Sequence, residues 1–346
     1  MMLSSLRGRQ RIGLIILAAL FVLSVFGGFI ASYNFRTQSR ATPFLPPTRI
    51  HFFDAQGTFH LRPFIYRPRM TNPLLFGYDE DQSARYSLNF FVRGESYQLF
   101  GFIPANLHLV GVEGGEGAPQ IHLLGTDSLG RDVLARLLHA GQISLLVGPV
   151  GLLLAYLIGV SAGAVSGYFG GWTDSVLMRA AEIVMSLPTL ILIIALRAAF
   201  PLSITPGQVA LMMLMIFAAV GWAEIARLTR NLFASERMRD YVSAAIASGA
   251  SDTRIIARHV LPNVSTPLIT QFALTAPVFI LAEIALSFLG VGVQEPSASW
   301  GTLLADAQDI SVLKNYWWML APAVCVFLTA LAFHLLGERE TSDERT

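Results

Sequence analysis

The sequence predicts an all-α polytopic membrane protein with six transmembrane helices and an extracytoplasmic, β-containing insert between helices one and two. Three observations carry this prediction. Of 346 residues, 53% are hydrophobic and only 14% charged, with a mean hydropathy of +0.55; soluble domains carry about 25% charged residues. Six apolar runs approach the roughly 20 residues that a bilayer core requires of a helix. Between the first two runs lie residues 33–142, far more than a simple connection needs.

The first span falls near 12–32, behind Arg7, Arg9 and Arg11, in a stretch uncharged from 12 to 35. Its apolar core exceeds the roughly 7–15 residues of a cleaved signal peptide, so it reads as an uncleaved anchor. The second, about 143–167, lies in a stretch uncharged from 140 to 173. The third, about 178–200, has Arg179 and Glu182 near one end and Arg197 near the other. Long basic side chains at helix ends reach the interface, and Arg179 with Glu182 has the i,i+3 spacing of an ion pair. The fourth runs about 208–226, the fifth 263–289 and the sixth 316–337, with His334 at its end.

Arginine placement orients these spans. The leader is basic, and the 227–262 loop carries Arg227, Arg230, Arg237, Arg239, Arg254 and Arg258. The loop after span five has Lys314 alone against Glu295, Asp306 and Asp309. Both termini and the 227–262 loop are therefore expected in the cytoplasm. The organisation reads as leader and first helix (1–33), outer insert (34–122), transmembrane domain (123–340) and cytoplasmic tail (341–346).

Several functions are excluded. A net charge of +1 suggests no nucleic-acid partner. The lone Cys325 makes no internal disulfide. The lone lysine, Lys314, is not in a P-loop, so ATP-driven work must come from another subunit. His51, Asp54, His60 and His122 lack metal-ligand spacing, so no metal site is expected, and no catalytic constellation is seen.

In the insert, 50–54 and 58–66 read as two strands around a short turn, and 86–93 and 97–103 as two more, joined through Gly94. Eight arginines balance seven acids between 34 and 122, as in a folded domain. After the Gly125-Thr126-Asp127 turn, a helix begins near Leu129 or Gly130. Val133, Leu134, Leu137 and Leu138 form its apolar stripe, with Arg131, Asp132 and Arg136 on the other side. The pattern suggests an amphipathic helix on the outer membrane face. Gly163, Gly167 and Gly171, four apart, allow close helix approach, either within the chain or to a second subunit.

Pro267 and Pro277 interrupt the hydrogen bonding of span five, and such breaks persist where neighbours or a water-lined cavity satisfy the freed carbonyls. Glu283 is an ionisable group inside that span. All three are pathway or gate candidates, although a structural hydrogen-bonded role for Glu283 fits equally well.

The 241–262 segment reads as helix–turn–helix. Ala244, Ala245 and Ala247 favour a compact first helix. Gly249 can end it in the left-handed conformation, and Ser251 or Asp252 can cap the second. Ile255, Ile256 and Val260 give that second helix an apolar face beside Arg254, Arg258 and His259, and Leu261-Pro262 ends it. Short apolar anchors of this kind suit docking in a groove.

Four ordered stretches then carry a resemblance over about 123–337. They are Leu124-Gly-Thr-Asp-x-x-Gly-Arg-Asp-Val-x-x-Arg136; Gly167-Tyr-Phe-Gly-Gly-Trp-x-Asp174; Tyr241-Val-x-Ala-Ala-x-x-x-Gly-Ala250 through Leu261-Pro-Asn263; and Leu286-Ser-Phe-Leu-Gly-x-Gly292 with Ser299-Trp-Gly301. Together they resemble the C-type permease of dipeptide, oligopeptide and nickel ABC importers, within the binding-protein-dependent transport inner membrane component family. The resemblance implies the type I ABC importer permease fold and half of a translocation pore in the bacterial cytoplasmic (inner) membrane. It implies a second permease subunit, two ATPases that carry the ATP and Mg, and an extracytoplasmic solute-binding protein, with no cofactor on this chain.

In that family the 241–262 segment seats on the ATPase. The matching positions are Tyr241, Ser243, Ala244, Ala245, Gly249, Ala250, Asp252, Arg254, Ile255, Arg258, Leu261 and Pro262. One departs from the motif: Ser243 stands where the family has Glu, leaving Asp240 or Glu236 to compensate. The insert is longer than in a typical member, and nothing is carried over to it. Two other readings compete: an ion-driven secondary transporter, which predicts inverted repeats and central charges, and a membrane-anchored interaction protein built on 34–122.

Overall fold

The computed structural model describes residues 8–99, 103–112, 117–201 and 205–337. Arg7 of the leader and the 341–346 tail lie outside them. In chain order the elements are helices α1 (Gly8–Val25) and α2 (Gly27–Ile30); strands β1 (His51–Phe53), β2 (Phe59–Asn72), β3 (Gly77–Leu99) and β4 (Ile103–Val112); and helices α3 (Val133–Phe169), α4 (Gly171–Met185), α5 (Thr189–Ala198), α6 (Pro206–Arg237), α7 (Asp240–Ala247), α8 (Asp252–Arg254), α9 (Leu261–Phe288), α10 (Trp300–Asp306), α11 (Ile310–Asn315) and α12 (Ala321–Gly337). A π-helical turn, Ile255–Val260, joins α8 to α9, and a 3₁₀ turn, Trp317–Leu320, leads into α12.

Among the described residues, five helical stretches are long and apolar enough to cross a bilayer: Gly8–Val25, Val133–Phe169, Gly207–Arg237, Asp252–Phe288 and Trp317–Leu336. A sixth exists only if α4 and α5 count together, and these meet at 89°. The third expected span is therefore broken. The break falls at Ser186–Pro188 because proline disfavours helix in the residue before it and cannot donate to the preceding turn.

The chain forms two compact units. One comprises Leu14–Ser144 and Gln294–Ala332. Its sheet has the order β1-β2-β3-β4, antiparallel throughout. Where the pattern predicts a hairpin turning at Gly94, β3 runs straight through, and β4 supplies the partner strand: Leu88 faces Val112 and Leu99 faces Ile103. Gly94 is there for clearance, since a Cβ on it would lie 2.8 Å from the His108 ring. The predicted strand 58–66 likewise extends to Asn72. Ile65, Leu88 and Ile121 form the core behind the sheet. His51 pairs with Glu80 and His60 with Asp54, each at 2.9 Å.

The Gly125–Arg136 stretch is not an amphipathic surface helix. Helix starts only at Val133 and continues unbroken through the expected second span, and Arg131, Asp132 and Arg136 are buried along with Val133, Leu137 and Leu138 of the apolar stripe. The buried Asp127 carboxylate accepts from the Leu129 and Arg131 backbone N–H groups, from Arg131 Nε at 2.7 Å and from Arg136 Nη1. Both guanidinium groups then donate to Glu295 at 2.7 Å, and Asp306 lies 3.5–3.7 Å away. Asp132 accepts from the Ala135 N–H at the start of α3 and from His122 Nδ1 at 2.8 Å. Burying charge is costly unless it is paired and hydrogen-bonded, and here each charged group has several partners.

The other unit is built on Leu145–Val293. Its core gathers Leu152, Ala155, Phe233, Val242, Ile255, Val260, Val264 and Leu268. Glycines on α3 let α6 approach: a Cβ on Gly163 would lie 2.4 Å from the Ala226 carbonyl, and one on Gly167 2.4 Å from that of Arg230. At Gly163 and Gly167 the small-residue spacing thus serves packing within the chain, whereas Gly171, at φ +59°, opens α4 with no neighbour against it. A half-buried ion pair ties α6 to α4 beside it: Arg230 donates twice to Asp174 (3.0 and 2.6 Å), and Ser166 of α3 donates to it as well.

Candidate functional site

The 240–262 segment folds as a hairpin between α6 and α9. Tyr241, in the first turn of α7, donates its hydroxyl to Glu236 at 2.8 Å, and Val242 is wholly buried. Burial of the Tyr241 phenol, reinforced by Glu236, raises its pKa. Gly249 has φ +80° and ends α7, with its N–H bonded to Ile246 O and that of Ala250 to Ala245 O. No atom lies within 4 Å of a Cβ built there, so conformation rather than space requires glycine.

The second arm differs from expectation in two ways. Neither Ser251 nor Asp252 caps it through its side chain; Asp252 instead accepts from the Tyr168 hydroxyl at 2.8 Å, pinning the hairpin to the end of α3. Nor does it end at Leu261-Pro262. Helix is continuous from Asp252 to Phe288, and the π-helical turn lies directly before Pro262. There the Leu261 N–H bonds five residues back to Ile256 O. A wider turn spares the proline ring its clash with the carbonyl four residues back.

The outward face is also reassigned. Ile255 and Val260 are wholly buried in the chain's own core and Ile256 is half-buried, so they hold the hairpin up. The exposed surface carries Ser243, Ala244, Ala247, Asp252, Arg254, Arg258 and Pro262, with Ala245, Ala250 and Leu261 half-covered. The large apolar side chains it presents are Met238, 84% exposed, and Ile246, 55% exposed. The sequence reading missed both.

A cavity of about 620 Å³ opens between α4, α5, α6 and α9. From α9 it takes Gln271, Leu274, Thr275, Val278, Phe279 and Ala282. The expected candidates Pro267, Pro277 and Glu283 are not in its lining. Pro267 is exposed, Pro277 half-buried, and α9 runs through both. Glu283 is fully buried and accepts from Ser287 Oγ at 2.8 Å. That hydroxyl accepts in turn from the Val293 N–H, tying α9 to the turn after it. Within the chain, Glu283 therefore has a structural hydrogen bond through one carboxylate oxygen. The charged lining residues are Glu224 and Arg227 of α6. Glu224 lies inside the span expected at 208–226, and an ionisable residue there was the available signal.

The family described as "Binding-protein-dependent transport system inner membrane component" matches residues 156–339, leaving the β-sheet insert outside the match. The chain is 40% identical over 218 residues to the dipeptide transport system permease protein DppC of Bacillus subtilis, covering 63% of this chain and 66% of that protein. It is 39% identical over 218 residues to the oligopeptide transport system permease protein OppC of Haemophilus influenzae, covering 63% and 68%. To the di/tripeptide transport system permease protein DppC of Pseudomonas aeruginosa it is 37% identical over 224 residues, covering 64% and 71%. The matches thus span about two thirds of each relative's length.

Proposed function

Because the chain belongs to the family of inner membrane components of binding-protein-dependent transport systems, we propose that it is one permease subunit of an ATP-driven importer of peptides. It is coupled to two ATPases through the 240–262 hairpin. A second permease completes the pore, an extracytoplasmic binding protein delivers the solute, and ATP and Mg belong to the ATPases. The peptide class is supported by the names of the relatives. The arginine distribution supports an inner-membrane topology with both termini and the hairpin in the cytoplasm and the insert outside.

The observation that carries this reading is the hairpin's construction. Its own apolar anchors are buried, its base is tied to α3 through Tyr168, and Met238, Ile246, Arg254 and Arg258 are left exposed. The second arm is also the foot of α9, whose far turns line the cavity. A push on the hairpin is therefore a push on one continuous helix that borders the cavity. Ser243 is exposed at the position of the family's acid, while Glu236, at the end of α6, is engaged by Tyr241 and lies 3.6 Å from Arg239. Glu236 is thus the better placed to stand in for the missing group.

Ile246→Asp tests the proposal, since it puts a charge into the docking surface without touching the core. The ATPases should no longer co-purify with the permease pair, and peptide uptake into liposomes should fall about tenfold or more, at least about 1.4 kcal/mol of lost coupling. The two permeases should still co-purify. Unchanged ATPase capture and uptake would sink the docking role, and ion-driven uptake by this chain alone would establish the secondary-transporter reading instead.

A further inference from the structure

The hairpin tip between β2 and β3 is built to leave two leucines uncovered. From Met70 to Tyr78 the chain carries no charge, with Arg67 and Arg69 before it and Asp79, Glu80 and Asp81 after it. Leu74 is 91% and Leu75 71% exposed. They are held in a defined turn, not a slack loop: the Asn72 side chain accepts from both leucine N–H groups at 3.0 and 3.2 Å. The Thr71 hydroxyl donates to Gly77 O. Phe76 follows at φ +46°, an unfavourable backbone for a bulky residue. Its neighbourhood holds Phe44, also at positive φ, whose ring lies 5.4 Å from that of Phe76 and stacks on Tyr316 at 4.1 Å. Tyr78 donates to Pro43 O at 2.7 Å and Tyr316 reaches Leu75 O at 3.5 Å. These contacts fix the tip beside Tyr316.

Tyr316 immediately precedes the last spanning stretch, Trp317–Leu336. An exposed apolar stripe runs down that stretch through Trp317, Leu320, Val324 and Phe327. Aromatic residues at the end of a span mark the headgroup level. The bare leucine tip therefore lies at the end of the exposed apolar stripe of that stretch.

We propose that the Leu74–Leu75 tip dips into the bilayer surface beside Trp317, making the β-sheet insert a membrane-anchored domain. Arg69, exposed behind the tip, faces the anionic phosphates of the lipid headgroups, while Arg67 is held within the insert by the Tyr86 hydroxyl and Gly117 O. The proposal rests on the last stretch crossing the membrane and is independent of the ATPase-coupling reading.

The test is the full chain carrying Cys325→Ser and Leu74→Cys, labelled with an environment-sensitive fluorophore, in phosphatidylcholine nanodiscs with or without a shallow doxyl-lipid quencher. Emission at position 74 should be blue-shifted and quenched by the doxyl lipid. A label introduced by Ser83→Cys, exposed six residues along β3 and about 20 Å away at roughly 3.3 Å per residue, should be neither. Water-like, unquenched emission at 74 would overturn the proposal. So would a blue shift without quenching, which would mean that protein covers the tip. As a second arm, Leu74→Asp with Leu75→Asp should reduce quenching of a Thr71→Cys label to the Ser83 level; persistent quenching there would also overturn it.

Discussion

Arg131 and Arg136, at the approach to α3, and Arg254 and Arg258, at the foot of α9, look alike in sequence. Each pair lies within six residues of an aspartate and adjoins a long apolar run. In the structure the first pair is buried and shares Asp127 and Glu295. The second pair is exposed, and neither arginine makes an ion pair among the described residues. Charge pattern alone does not separate internal glue from surface offered to a partner. What separates them is the count of fixed acceptors: three carboxylates, Asp127, Glu295 and Asp306, converge on Arg131 and Arg136, whereas Asp252 is already engaged by Tyr168.

The sharpest way to break this contrast is Asp127→Asn. The carboxylate is the one anion fully buried between both guanidinium groups, and removing one partner of a buried pair costs about 3–5 kcal/mol by leaving charge uncompensated. Unfolding in detergent, followed by the fluorescence of the buried Trp300 and Trp318, should show that loss. A change below about 1 kcal/mol would mean that water or neighbouring carboxylates already solvate the arginines.

A smaller effect isolates the third acid of the cluster. Burial pushes the Asp306 carboxyl from the ordinary 3.8 up to about 6; Arg131 opposes the rise, and Glu295 and Asp127 reinforce it. The folded chain then keeps a proton that the unfolded chain releases. This contribution is fully present below about pH 4 and is lost as pH rises through about 6. With Asp306 about a third exposed, screening reduces the expected effect to about 1 kcal/mol. Asp306→Asn should remove this fall between pH 4 and 6 from the stability profile. Parallel profiles for the two proteins would refute the assignment.

What the sequence revealed follows from the same distinction. Apolar run length marked the spans because lipid demands it, but hydropathy reports lipid contact and not helix. It could not show α3 beginning ten residues before its expected span or α6 continuing to Arg237. The third span was averaged across Ser186–Pro188, although the proline was there to be read. Gly94 reads as a turn because a glycine in a strand pattern has two meanings, and its partner His108 is distant in sequence. In the hairpin, Gly249 was legible because positive φ favours glycine. Ile255 was not, because an apolar helix face shows that something covers it without showing whether the cover is the chain itself or a partner.

The smallest predicted effect on stability is the most discriminating. Arg254→Ala and Arg258→Ala remove exposed side chains with no ion pair among the described residues, so unfolding should change by no more than about 0.5 kcal/mol each. If these arginines serve docking, the double variant should bind the ATPases more weakly, and the difference between variant and wild type should shrink as salt is raised, because exposed charges are screened over about 10 Å at 0.1 M. Met238 and Ile246 contacts would persist at any salt, so some ATPase should still be captured. Loss of stability comparable to that of Asp127→Asn would place this pair with Arg131 and Arg136 as internal glue. Unchanged stability with unchanged, salt-insensitive ATPase capture would leave the apolar pair alone as the docking contact and take the arginines out of the coupling surface.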